Sequence, residues 1–141
     1  MSRRTKSTGF SLVELLLVLA IIGIIAGIAI PSFLGQRRRA RVIGDAQANA
    51  QVLRMQLETT KADQGIYGIV GSYSWKASGT VPSTSKNIAP GFSPSGNSKM
   101  NYGVLVANSG LTYTLSVTDP AMASALTFQT NQNGSALFVM H

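Results

Sequence analysis

The sequence predicts an α+β protein in which one long N-terminal helix, apolar in its first half and amphipathic in its second, precedes a small antiparallel β-sheet. Three observations predict it. Leu15 to Pro31 is a run of 17 residues without a charged or polar side chain. Ile43, Ala46, Ala50, Leu53 and Leu57 recur at helical spacing, and Leu111, Tyr113, Leu115 and Val117 alternate with Thr112, Thr114, Ser116 and Thr118 as one face of a strand does. At 141 residues and 14.9 kDa the chain has room for about one domain, which excludes a multidomain enzyme. With 12% charged residues and a mean hydropathy of +0.18 it is too apolar for wholesale disorder. It has no cysteine, hence no disulfide framework, thiolate nucleophile or cysteine-type zinc site.

The first element follows from the apolar run. Residues 1–9 are basic and polar, and Phe10 to Leu34 is apolar apart from Ser11, Glu14 and Ser32, which is the length of a single membrane-spanning helix. A secretory signal peptide has an apolar region of only about 7 to 15 residues, so this run is long for one. The formal charge of +7 is concentrated around it: Arg3, Arg4 and Lys6 lie before the span, and Arg37, Arg38, Arg39 and Arg41 after it. Three bases against four do not orient a plain signal anchor by the positive-inside rule. Beyond Gly65 only Lys76, Lys86 and Lys99 stand against Asp119, so the remainder has no dense basic patch of the kind that binds nucleic acid.

Glu14 is the anomaly. A carboxylate at the edge of hydrocarbon costs several kcal/mol unless something compensates it. Ser11-Leu12-Val13-Glu14 spells the S-x-x-E capping box, in which the glutamate satisfies a free N–H of the helix start. A second reading is a charge partner outside its own helix.

The string Gly9-Phe10-Ser11-Leu12-Val13-Glu14-Leu15-Leu16, after a short basic leader and before a long apolar run ending in Pro31, resembles the class III signal of type IV pilins and the related type II secretion pseudopilins. The resemblance covers about residues 3–65. It implies that a prepilin peptidase removes leader 1–9 by cutting between Gly9 and Phe10, that Phe10 is then N-methylated, and that Glu14, the fifth residue of the processed chain, meets the Phe10 amine of a neighbouring subunit to set register. It also implies a filament-core helix over 10–35 that loses regular structure around Gly23 and Pro31 on assembly; Gly23, Gly27 and Pro31 interrupt the helix in sequence terms too, since inside a helix glycine is about 1 kcal/mol and proline about 3 kcal/mol worse than alanine. Glycine and proline are also common in ordinary membrane helices, which leaves the unremarkable reading open.

From Gln36 to Gln64 the helix becomes amphipathic, with Arg54 and Glu58 expected as an i, i+4 pair on its solvated side and Gly65 as its stop. The two halves together make about 54 residues, roughly 80 Å at 1.5 Å per residue. Residues 66–100, with five glycines, eight serines and three prolines, read as an irregular connection with room for one short strand. Tyr67, Tyr73, Trp75 and Phe92 among its lysines fit either a single-stranded nucleic-acid surface or, better, anchors of the loop on the core. Tyr102 to Ala107 pairs with the alternating strand across Asn108-Ser109-Gly110, and Leu126 to Gln129 pairs with Ala136 to Met140 across Asn131-Gln132-Asn133-Gly134. A three- or four-stranded sheet over 66–141, packed on the helical stripe, completes the ladle shape that the resemblance also implies.

Function is read as structural. His141 is the single histidine, and Glu14, Asp45, Glu58, Asp63 and Asp119 are scattered, so no catalytic constellation is expected, and no cofactor or metal. The resemblance implies a pilus subunit held in the bacterial inner membrane and polymerised with copies of itself into an extracellular filament for adhesion and twitching motility. Its implied partners are the peptidase and methyltransferase, the assembly platform and its ATPase, with nucleic acid not expected. The alternatives are a pseudopilin of a periplasm-spanning secretion apparatus and a minor pilin at a filament tip or in DNA uptake. Two departures from family patterns are the missing C-terminal cysteine pair and the lack of carboxylates that would build a pseudopilin calcium site around Asp119. Asn133-Gly134-Ser135 matches a glycosylation sequon that an Asn-Gly turn explains equally well.

Overall fold

The computed structural model describes residues 9–76, 81–94, 99–122 and 125–140. The expected leader up to residue 8, and His141, lie outside the described residues. Helix α1 runs Leu12–Gln64 and is followed by β1 (Gly71–Trp75), α2 (Ser83–Ile88), β2 (Asn101–Ala107), β3 (Thr112–Asp119), β4 (Ala125–Asn131) and β5 (Ala136–Val139). Contacts divide the chain into two units, residues 1–38 and 39–141.

In the first unit, side chains from Phe10 to Leu34 are almost all exposed, Phe10 at 84% and Ile28 at 75%. Among the described residues nothing within the unit buries them. The second unit has a core of its own. Ala46, Ala50, Leu53 and Leu57 of α1 are fully buried there, as the periodicity predicts, but the stripe opens on Val42, and Ile43 is only half-buried. The helix stops at Gly65, which takes φ +82° and donates its N–H to the Lys61 carbonyl at 2.8 Å. That is the left-handed C-terminal signal that glycine supplies without a Cβ penalty.

The sheet is a five-stranded antiparallel meander in the order β1-β2-β3-β4-β5, so the short strand allowed within 66–100 joins the two hairpins as an edge. Period-2 alternation sends Tyr113, Leu115 and Val117 inward, each opposite an apolar residue of β2: Val106, Val104 and Tyr102. One row crosses every strand on this face, Trp75 to Tyr102 to Val117 to Phe128 to Val139. The other face carries Ser72, Ser74, Gly103, Thr114, Ser116 and Gln129. Leu111, expected to begin the apolar face of β3, precedes the strand and is exposed.

Residues 66–94 are more ordered than their composition predicts. All four aromatics are buried, Trp75 edge-to-face on Phe92 at 5.6 Å and Phe92 on Tyr102 at 5.3 Å, which removes the stacking surface that a nucleic-acid reading needs. Helix α2, absent from the sequence reading, guards the open side of β1. The Ser85 hydroxyl accepts the Ser74 N–H and donates to the Ser74 carbonyl, both at 3.0 Å. One side chain thus satisfies backbone groups that an edge strand otherwise offers to another chain. The Thr60 hydroxyl, 2.8 Å from the Ile88 carbonyl, ties α1 to the end of α2.

The β2–β3 turn is locked against the segment after α1. Gly110 sits at φ +87°, and its carbonyl accepts the Tyr67 N–H at 2.8 Å. A Cβ there would lie 2.5 Å from the Gly68 carbonyl oxygen and 3.0 Å from Ile66 Cβ. Left-handed strain and a backbone clash add, so Gly110→Ala is expected to destabilise the second unit by about 2 to 3 kcal/mol. The check is thermal unfolding followed by circular dichroism: a melting temperature lowered by several degrees is expected, and an unchanged one would show that the turn relaxes freely.

Arg54 and Glu58 are half-buried, not solvated as the helical spacing predicts. Arg54 Nε donates to the Tyr113 hydroxyl at 3.3 Å, and Glu58 accepts the Tyr67 hydroxyl at 3.0 Å. Tyr67 meets Tyr113 edge-on at 4.7 Å, and the Lys61 ammonium lies 4.5 Å from the Tyr67 ring centre. Burial first, then the hydrogen bond to Glu58 and its negative charge, push the Tyr67 phenol up to about 12. Burial, reinforced by the Asp45 charge and opposed by Asn49, takes Tyr102 to about 12 as well. Both phenols are held neutral in the folded state and ionise near the ordinary 10.0 once unfolded. Their contribution to stability is therefore complete below pH 10 and is lost as pH rises from about 10 to about 12. Burial also pushes the Tyr113 phenol up, against the opposing Arg54, so tyrosinate absorbance at 295 nm should show three of the four tyrosines titrating late, together with unfolding. Ionisation of all four near pH 10 with the fold intact would contradict it.

Candidate processing and assembly site

The expected site residues occupy the first turns and the middle of α1. Gly9 and Phe10 precede the helix, and Ser11 is its N-terminal cap. The Ser11 N–H donates to Glu14 Oε2 at 2.8 Å, while Ser11 Oγ accepts the Val13 N–H at 3.3 Å. The reciprocal capping box is thus formed: Ser11 serves a free N–H of the first turn, and Glu14 reaches back one turn to the cap. The Ser11 carbonyl accepts the Leu15 N–H at 3.2 Å. Glu14 also favours this end electrostatically, since a negative charge in the first turn complements the helix dipole. A carboxylate has about four acceptor positions, so one bond to Ser11 leaves it capacity for a second donor.

Gly23, Gly27 and Pro31 lie inside a helix that the backbone continues through without a break. They are spaced by four, which is the hydrogen-bonding interval of the helix. Pro31 has no N–H to give to the Gly27 carbonyl, so one rung is absent by covalent structure, and both residues on the N-terminal side are glycines. A Cβ added at Gly23 or Gly27 meets nothing within 4 Å. Neither glycine is explained by packing among the described residues.

Residues 4–30 match the prokaryotic N-terminal methylation motif. Over 90 residues the chain is 34% identical to the type IV major fimbrial protein FimA of Dichelobacter nodosus. The chain is thus similar, over part of its length, to a type IV pilin. That alignment takes in 61% of the chain and 56% of the relative, so the chain spans little more than half the length of the curated protein it matches. No solved structure matches it significantly. The methylation motif takes in the capped, apolar start of α1.

The polar contacts from α1 to Tyr67 and Tyr113, and the Ser85 plug on β1, were missed by sequence reasoning. Each joins residues of different segments through a single hydroxyl, which leaves no periodic signal to read.

Proposed function

We propose that this chain is a structural subunit of a type IV pilus, cut between Gly9 and Phe10, N-methylated on Phe10, and polymerised with copies of itself through its N-terminal helix. The observation that carries the reading is the exposed apolar run of the first unit, headed by the Ser11–Glu14 box and lying within the methylation motif. Before assembly the run crosses the inner membrane once; its most apolar 18-residue window has a mean hydropathy of 2.9. In the filament it becomes the core, where Glu14 meets the Phe10 amine of a neighbour. The stretch from Gly23 to Pro31 unwinds there, because neighbouring chains then shield the freed backbone groups that a bilayer would not. The prepilin peptidase and methyltransferase, the assembly platform and its ATPase are the partners this reading requires. Adhesion and twitching motility are the activities it assigns to the filament.

N-terminal sequencing with intact mass, on protein from native membranes or filaments, tests it. The expected result is a chain that starts at methylated Phe10. An intact Met1 would make the segment a simple anchor, and a start after the apolar run would make it a secretory signal. Either outcome removes the role given to Glu14. Abundant surface filaments separate a pilus subunit from a pseudopilin, whose loss impairs secretion instead.

A further inference from the structure

Arg37, Arg38, Arg39 and Arg41 follow the apolar run within seven residues of Leu34, and all four are exposed. Few carboxylates exist to answer them. Of the five in the chain, Glu14 is bonded to the Ser11 N–H, Glu58 to the Tyr67 hydroxyl, and Asp119 to the Ala121 N–H, while Asp45, whose charge bears on Tyr102, and Asp63 are too few to balance four arginines. A second copy of the chain does not correct the imbalance. After cleavage at Gly9 each copy keeps nine bases against five acids, so a polymer of this chain repeats the excess at every subunit. The arginines call for an anion that is not protein of this sequence.

Their depth says which anion. The 20 residues from Leu15 to Leu34 rise about 30 Å as a helix, the thickness of a bilayer's hydrocarbon core, so Arg37 falls at headgroup level. A shallow, open groove on this stretch has Ala29, Ile30, Phe33 and Leu34 along it, with Ser32 among them, and Gln36 and Arg37 at its far end. The Arg37 guanidinium lies 5.7 Å from the Phe33 ring centre, over its face. An apolar trough with a cation at one end has the chemistry of an acyl chain below a phosphate. A water-soluble polyanion would neutralise the charge and leave the trough uncovered.

We propose that this groove and the arginines that follow it bind anionic phospholipid of the leaflet reached after the span, anchoring the subunit before assembly. The proposal rests on the membrane-spanning reading above. It gives the arginine cluster a task while the subunit is stored: each headgroup contact must be released when the subunit leaves the bilayer. A juxtamembrane arginine near an anionic surface is worth about fivefold in association.

The test uses the full chain reconstituted in phosphatidylcholine liposomes containing spin-labelled phosphatidylglycerol or, in parallel, spin-labelled phosphatidylcholine. The motionally restricted fraction of each is compared at low salt. The chain is expected to select phosphatidylglycerol at least fivefold. Replacing all four arginines by glutamine should bring the ratio close to one, and replacing them by lysine should hold it within about twofold of the native value. Lys76, Lys86 and Lys99→Gln should leave it unchanged. Equal restriction of both lipids, or selectivity that survives the four glutamines, overturns the proposal. So does arginine-dependent dimerisation in neutral liposomes without lipid selectivity, which would assign the cluster to a second copy. Alkaline carbonate extraction separates the two levels: a chain washed off the liposomes defeats the spanning reading itself, whereas a resistant chain without selectivity defeats the lipid site alone.

Discussion

Glu14→Gln is expected to abolish surface filaments while leaving the chain in the membrane at its normal level. Two functions converge on this carboxylate, and the glutamine variant separates them. The cap bond from the Ser11 N–H at 2.8 Å needs only an acceptor oxygen, which a glutamine amide supplies. The proposed contact with a neighbour's Phe10 amine needs the negative charge. Leaving that amine in the filament core without a counter-charge costs about 3 to 5 kcal/mol, a factor of roughly 10² to 10³ or more in each subunit's addition equilibrium. Glu14→Ala loses the cap as well, an extra cost of about 1 kcal/mol to a helix start. Filaments sheared from cells and quantified against total membrane-bound chain provide the readout. Equal, severe loss in both variants supports the charge pair. Native filament yield from Glu14→Gln with loss only in Glu14→Ala would reduce Glu14 to a helix cap, and the register role would fall with it.

That experiment exploits a distinction that sequence leaves open. Ser11-Leu12-Val13-Glu14 is readable as a capping box and as a pilin signal, and the structure shows the cap formed, which takes nothing from the second reading because one oxygen can serve both donors. Local signals of this kind were legible wherever a few neighbouring residues carry them. Gly65 stops α1, and the alternation from Tyr113 to Val117 places the inner face of β3. Ala46, Ala50, Leu53 and Leu57 mark the buried stripe. The errors fall where one element answers another. Arg54 and Glu58 look like a solvated helical pair until Tyr113 and Tyr67 come down on them. Helix α2 has no apolar period over its six residues, Ser83–Ile88, and is held by contacts with β1 and the end of α1 rather than by propensity, since so short a helix is not stable alone. The start of the stripe moved from Ile43 to Val42 because a spacing of three or four tolerates either residue, and the surface it packs against decides.

The same dependence on distant partners makes Trp75→Ala the change expected to damage the second unit most. Trp75 is fully buried at the end of β1, begins the apolar row that crosses all five strands, and meets Phe92, which in turn meets Tyr102. Truncating a buried tryptophan to alanine costs about 3 to 5 kcal/mol through lost transfer energy and the cavity left behind. A domain of this size has only about 5 to 15 kcal/mol in hand. The variant should melt far below the native chain or fail to accumulate. Trp75→Phe is expected to behave quite differently. Among the described residues the Trp75 indole N–H has no hydrogen-bond partner, and a buried unpaired donor costs about 1 to 3 kcal/mol. Phenylalanine removes that penalty and keeps an aromatic edge for Phe92, so its smaller volume is largely offset and the net change should be within about 1 kcal/mol. Thermal unfolding of both variants, followed by far-ultraviolet circular dichroism because Trp75 is the single tryptophan, compares them directly. If Trp75→Phe proves as damaging as Trp75→Ala, the indole N–H is satisfied in solution and the size of the ring, not its aromatic edge, is what the row of residues across the sheet requires.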